Sequence, residues 1–342
     1  MMDVAHAAGV SQPTVSRVLQ DHPNVREEVR IRVRDAVARL NYRPNSLVSA
    51  LMTDLKTRRV TSSTTLAYIS AFDTPEGWRN VGDFVEYFEG AKERAEETGY
   101  ALEHFWLKER GMTGPRLSRI LFNRGIPGMI VAPLPRARGH LSMDWPKFAT
   151  VALGFTLNLP DVSRAMNDQF HTMLLVLRKL RWMGYRKMGL IMQASSDARV
   201  NHRWVAGFLS FRLDAPPLTR IEPHILRELT EENVVQWYLT QRPDVIVGAD
   251  DRIVPWLRGA GIEVPAEVGF AHLSVGPGNS GQVAGTNQNS RLIGASAVDM
   301  VVGQLHRNER GIPVFPKLTF TTATWVDGPT VRKLRPDRRP RE

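Results

Sequence analysis

The sequence predicts an α/β protein in two parts. An all-α helix-turn-helix headpiece comes first, followed by a two-lobed core of doubly wound parallel sheets. Three observations predict this. The first forty residues carry apolar positions at helical spacing, broken by a Gly-containing turn. From Thr65 onward, short apolar runs alternate with amphipathic stretches, the pattern of parallel strands joined by crossover helices. The alternation runs through two sets, before and after Pro160, so two lobes with a cleft between them are expected. A chain of 342 residues, 42% of them apolar, has room for such cores.

Asp3 to Ala8 forms the first expected helix, stopped by Gly9. Ser11 suits the N-cap of the second helix, Pro13 is tolerated in its first turn, and the helix continues to Gln20. Val15, Val18 and Leu19 share its apolar face, and Gln12, Pro13, Ser16, Arg17 and Gln20 share the opposite one. The third helix spans Arg26 to Leu40, with Val29, Val33, Ala36, Val37 and Leu40 inward and Arg30, Arg32, Arg34 and Arg39 outward. In a helix-turn-helix unit the second helix enters the major groove. Arg17 has the fork for a bidentate contact to guanine, Gln12 suits a base edge, and Thr14 or Ser16 suits a phosphate. An ordinary helical hairpin with a polar face fits the periodicity equally well. Charge adds to the nucleic-acid reading: of a net +10, residues 1–60 hold 10 Lys and Arg against 6 Asp and Glu, and residues 332–342 hold 6 against 2.

The motifs then resemble a known family. D-V-A at Asp3–Ala5, A-G-V-S at Ala8–Ser11, T-V-S-R-V-L at Thr14–Leu19 and Y-R-P-N at Tyr42–Asn45 are similar to the headpiece of LacI/GalR bacterial transcription regulators. The resemblance implies that Gln12, Pro13 and Arg17 read bases and that Thr14 and Ser16 hold phosphates. It further implies that Asn45 to Met52 form a hinge helix in the minor groove, with Leu51 as a wedge that kinks the duplex. Two departures stand out. Only Met1 and Met2 precede Asp3, where the family usually has a Thr N-cap, and Pro13 has no side-chain hydrogen bond to offer, so readout there is apolar or steric.

Residues 1–43 are thus expected to be the DNA-binding domain, 44–64 the hinge and polar linker, 65–331 the core and 332–342 a basic tail. Core strands are expected at 66–72, 101–106, 128–133, 150–155, 188–192, 244–249 and 268–273. Helices are expected near 82–98, 114–124, 168–183, 201–213 and 230–241, with a short one ending at Arg258. The segments at Pro243–Asp251, 264–270 and 288–295 resemble the periplasmic-binding-protein-like sensor core of the same family. That core crosses between lobes three times, which implies one lobe of about 65–156 plus 287–316 and another of 157–286 plus 317–331.

Ligands of such folds sit beyond the carboxyl ends of the strands. The candidate effector residues there are Phe72, Asp73, Trp78, Arg203, Trp204, Asp250 and His272. Trp78 and Trp204 suit either stacking on a ring or core packing. Asp250 suits ligand hydroxyls or a helix cap, and His272 a loop hydrogen bond or a ligand contact. In sugar-binding relatives an Arg and an Asp grip the ligand, but Trp204 and Ala271 stand at those positions here.

Other function classes lack their residues. The absence of Cys excludes disulfides and thiolate sites. No apolar run approaches the ~20 residues of a membrane span, and no signal-like segment opens the chain. No HExxH pair, placed nucleophile or Lys-bearing P-loop occurs, so no enzyme, metal or cofactor is expected. The expectation is a cytoplasmic repressor-type regulator that binds a palindromic double-stranded operator as a homodimer under a small-molecule effector, a carbohydrate or related metabolite. The alternative is an architectural DNA-binding protein whose core senses no ligand. The tail has two prolines and no heptads, which favours a dimer over a tetramer.

Overall fold

The computed structural model describes residues 2–19, 25–40, 64–213 and 220–334. The expected hinge residues Asn45 and Leu51, the linker and the last eight residues of the tail lie outside these.

The headpiece has three helices, α1 (Met2–Ala8), α2 (Gln12–Leu19) and α3 (Glu27–Arg39). The turn after α1 follows from Gly9, whose φ of +61° is a left-handed conformation that glycine adopts without strain. With it, Val10 N–H donates to Ala5 O at 3.0 Å and Gly9 N–H to His6 O at 3.3 Å, closing the α1 end as a Schellman motif. Val4, Val15, Val18, Val33 and Ala36 are buried together, with Val29 and Val37 packed partly against them. Leu40, expected inward, is exposed because α3 ends at Arg39, one residue before it.

The body contains, in chain order, β1 (Thr64–Ser70), α4 (Gly82–Glu97), β2 (Tyr100–Trp106), α5 (Gly114–Asn123), β3 (Gly128–Val131), β4 (Gly139–His140), β5 (Ala149–Leu153), β6 (Leu157–Leu159), β7 (Ser163–Asn167) and α6 (Gln169–Trp182). There follow β8 (Met188–Gln193), α7 (Ala194–Arg199), α8 (Arg203–Arg212), β9 (His224–Leu226), α9 (Glu231–Gln241), β10 (Val245–Gly248) and α10 (Ile253–Gly259). The last elements are β11 (Gly269–His272), β12 (Ala284–Asn287), α11 (Ser290–His306), β13 (Leu318–Thr321) and β14 (Thr324–Val326).

Two six-stranded sheets result, ordered β13-β7-β5-β3-β1-β2 and β14-β12-β11-β10-β8-β9. Every pairing within them is parallel except β12 with β14. The central strands are apolar on both faces, as helices covering both sides require. In the second sheet the period of two is explicit. Leu190, Met192, Val245, Val247 and Ala271 pack with α6 and α8, while Ile191, Ile246 and Phe270 pack with α9 and α10.

Sheet membership shifts two of the expected lobe crossings. β7 and β13 belong to the first sheet, so the chain leaves it after Asn167 rather than at 156–157, and again after Thr321 rather than at 316–317. Both strands, SRAMN and LTFT, mix polar with apolar residues and carry no apolar run. The crossing before α11 falls beside the expected 286–287. All three crossings are tied by one buried side chain. Asn167 Nδ2 donates to Thr321 O at 3.0 Å and to Gln288 O at 3.3 Å, and its Oδ1 accepts from Thr172 Oγ1 at 2.7 Å.

Helices α4 and α11 approach closely. A Cβ on Gly90 would stand 2.0 Å from Arg291 O, and one on Gly294 would stand 2.0 Å from Tyr87 O. Arg291 adds ion pairs to Glu86 and Glu93 across the same contact. This packing fixes the start of α4, which carries Asp83, beside the start of α11, which carries Ser290.

Candidate functional sites on the recognition helix and in the interlobe cleft

Burial of Val15 and Val18 turns the opposite face of α2 outward. Gln12, Pro13 and Arg17 are exposed there. Thr14 is partly buried, and its hydroxyl lies 2.9 Å from that of Ser11, whose carbonyl accepts from Val15 N–H at 3.2 Å. Ser16 lies on the α2 backbone, and its side chain is outside the described atoms. The side chains sequence analysis assigned to base readout therefore share one solvent-facing helix surface.

The cleft follows from topology. In the first sheet the strand order reverses between β1 and β3, so the segments after them diverge and leave a crevice. In the second sheet the reversal lies between β8 and β10. The segment after β8 is α7, and the segment after β10 holds Asp250 and Asp251. Of these, α7 meets the segment after β3 across the cleft. Arg199, at the end of α7, donates from Nη1 to Leu134 O at 2.9 Å and to Pro135 O at 2.7 Å, both beyond β3. Its guanidinium lies 5.4 Å from the Phe84 ring centre. Burial lowers its pKa, opposed by Tyr87.

A second crossing bond joins Ser274 Oγ to Asp83, whose other oxygen accepts from Ser290 Oγ at 2.9 Å. Burial, with the Asp83 charge nearby, pushes the Tyr87 hydroxyl pKa up. A cavity of about 610 Å³ opens beside this cluster, walled by Asp83, Glu86, Pro277, Asn287, Ser290 and Arg291.

His272 is buried at the end of β11. Its Nδ1 accepts from Ser274 N–H at 3.0 Å, which leaves the proton on Nε2, 3.5 Å from Asp251 Oδ1. Burial lowers its pKa, against the pull of Asp251, Asp83 and Asp250. Asp250 is engaged locally, accepting from Arg252 Nε at 2.9 Å, Nη2 at 2.7 Å and N–H at 3.0 Å. Burial would raise its pKa, but these bonds outweigh it and the carboxyl titrates below its usual range.

The remaining candidates divide. Phe72 packs edge-on to Phe84 at 6.1 Å, at the cleft, and its carbonyl accepts from Trp106 Nε1. Asp73 is exposed and ion-paired with Lys108 at 2.6 Å. Arg203 joins the lobes, with its guanidinium 4.9 Å from Phe320 and 5.7 Å from Phe155 and its Nη2 3.3 Å from Asp168. The stacking role considered for Trp78 and Trp204 has no open ring face to act through. Trp78 is 0% exposed, packed on Tyr68, Phe88 and His104, and Trp204 is 6% exposed in the core with Met173 and Phe208. Both rings fill space that their helices leave under the sheets.

Sequence analysis missed Arg199, Asp83, Ser274 and Asn167. Arg199 lies four residues before the candidate Arg203, but periodicity cannot say which residue of a short helix crosses a cleft.

Residues 1–45 match the model of bacterial regulatory proteins of the lacI family. The first 45 residues therefore carry a headpiece of the kind that family shares. Its members are regulatory proteins, not enzymes. The regulator MalR of Streptococcus pneumoniae is 30% identical over 128 residues, which is 37% of this chain and 37% of that protein. The ribose operon repressor of Bacillus subtilis is 57% identical over 49 residues, covering 14% of this chain and 15% of the repressor. Sequence similarity thus spans well under half of these relatives and is densest in the headpiece. The fold match is wider. The lac repressor dimer bound to operator and the anti-inducer ONPF aligns at TM-score 0.56 with 18% identity, over 96% of this chain and 97% of that one. A CelR–cellobiose complex aligns at TM-score 0.55 with 17% identity, over 96% and 98%. The chain therefore shares the fold of these solved structures.

Proposed function

We propose that this chain is a DNA-binding transcriptional regulator of repressor type. It acts in the cytoplasm as a homodimer on a roughly palindromic double-stranded operator, under control of a small-molecule effector held between its lobes. One observation carries the reading: Gln12, Pro13 and Arg17 stand exposed on α2 inside the matched headpiece. Two such helices, one per protomer, suit adjacent major grooves, with the hinge segments of 44–64 between them. The solved relatives named above include one with operator and one with cellobiose, which supports both halves of the reading by likeness. For the second half to hold, the effector must bind one lobe arrangement more tightly than the other.

Fluorescence anisotropy with an operator selected from random DNA tests the first half. The wild-type chain is expected to prefer that site over a scrambled duplex by about 10³-fold or more at physiological salt. Arg17→Ala is expected to weaken specific binding by about 1–3 kcal/mol and leave scrambled-duplex binding nearly unchanged. Equal loss on both duplexes would reduce Arg17 to a phosphate contact. The architectural alternative draws on Ala271 and Trp204, both buried where sugar-binding relatives place polar side chains. It predicts that no cleft ligand alters operator affinity.

A further inference from the structure

Arg199 differs from the other arginines of the cleft. Arg203 faces Asp168, Arg252 faces Asp250, and Arg291 faces Glu86 and Glu93. The carboxylate of Asp83 is matched by the hydroxyls of Ser274 and Ser290. Among the described residues, no carboxylate lies within 4.0 Å of the Arg199 guanidinium, and no acceptor takes a bond from its Nε or Nη2. Its partners are two backbone carbonyls, both on Nη1, and an aromatic face. A desolvated cation without a counter-charge is costly. Here it sits where the switch points of the two sheets meet, the place where folds of this kind take their ligands.

The anchoring has a geometric consequence. With Nη1 fixed on Leu134 O and Pro135 O and the plane set against Phe84, the Nε–Nη2 edge is oriented. That edge of a guanidinium makes paired hydrogen bonds to two oxygens of one oxyanion. We propose that Arg199 is the effector-recognition residue of this chain and that its ligand carries an oxyanion, a carboxylate or a phosphate, on a small polar body. The inference rests on reading the cleft as the effector site, and it narrows the ligand from a neutral carbohydrate to an anionic metabolite. The oxyanion supplies the missing counter-charge to the side chain that ties α7 to the segment after β3, so binding favours the arrangement in which the lobes are joined.

The test uses the full chain and matched ligand pairs: gluconate and glucuronate, glucose 6-phosphate and ribose 5-phosphate, each against its neutral parent sugar, with inorganic phosphate as the bare anion. Thermal shift finds binders and titration calorimetry gives Kd. At least one anion class is expected to raise Tm while its neutral parent does not, and the class that responds separates carboxylate from phosphate. Arg199→Gln is expected to weaken that ligand about tenfold or more, and Arg199→Lys to recover only part of the loss. Arg119→Gln, an exposed arginine on α5, controls for net charge and is expected to leave Kd unchanged. Neutral sugars binding as tightly as their anions would overturn the proposal while keeping the cleft as an effector site. An unchanged Kd in Arg199→Gln would overturn it too. Tm unmoved by every member of the panel, with operator binding intact, would overturn the anion assignment and leave the headpiece reading standing.

Discussion

On α2, Gln12, Pro13 and Arg17 face solvent from one short helix, and the turn at Gly9 is enough to set their direction. In the cleft, Asp83, His272, Ser274 and Ser290 come from three separate segments and are engaged with one another. The headpiece thus offers a surface that a large polyanion can read with little rearrangement of side chains. The cleft offers a network in which an entering ligand must replace or extend bonds already made. On the proposed function, recognition of DNA is a matter of display, and recognition of a small molecule is a matter of substitution within a closed set of partners.

Breaking the cleft framework should have the largest effect. Gly90→Ala puts a methyl against Arg291 O at a distance that the α4–α11 contact cannot accept without moving. It is expected to destabilise the body by about 1–3 kcal/mol or more in urea unfolding, and an unchanged midpoint would show that the helices slide freely. Asn167→Ala removes the side chain that ties all three crossings, takes the donor from Gln288 O and the acceptor from the Thr172 hydroxyl, and leaves Thr321 O with the Asp168 N–H alone. A loss of about 1–3 kcal/mol is expected, while the affinity of the headpiece for non-specific DNA stays as it was. A parallel loss of both would mean that the two regions are not separable as described.

A smaller effect sharpens the same contrast. His272 is held neutral by burial, with its folded-state pKa below the usual ~6.5 of a free histidine. Below about pH 6.5 the unfolded chain takes up a proton there that the folded chain resists, so stability falls as pH falls. Between pH 7 and pH 5 the wild-type chain is therefore expected to lose more stability than His272→Gln does. The contributing charges, Asp83, Asp250 and Asp251, face the ring from α4 and from the segment after β10. Equal slopes in the two proteins would remove His272 from the pH response.

The same contrast explains what was legible in the sequence. Recognition-helix chemistry is local: Val15 and Val18 at helical spacing fix which side faces out, and the short motifs around them carry the rest. The sheets were legible wherever strands are apolar on both faces, as in GMIV and VIVG. The buried strand SRAMN and the edge strand LTFT were not, because both mix polar with apolar residues and hydrogen bonds to neighbouring strands, rather than hydrophobicity, decide their pairing. The cleft was legible only as a set of loop ends. Phe72, Asp250 and His272 became candidates because they follow or end strands. Arg199 and Asn167 depend on carbonyls 64 or more residues away in the chain, which no local pattern encodes. Trp78 and Trp204 were weighed between two uses, and the volume under the sheets absorbed both.

The most direct test of the central claim is selection of binding sites from a random double-stranded DNA pool, performed with the wild-type chain and with Arg17→Ala. The account predicts an inverted repeat for the wild type, and in the variant a relaxed base preference at one symmetric position in each half-site with the rest of the motif retained. A wild-type selection without an enriched motif, or a variant motif identical to the wild type, would contradict it.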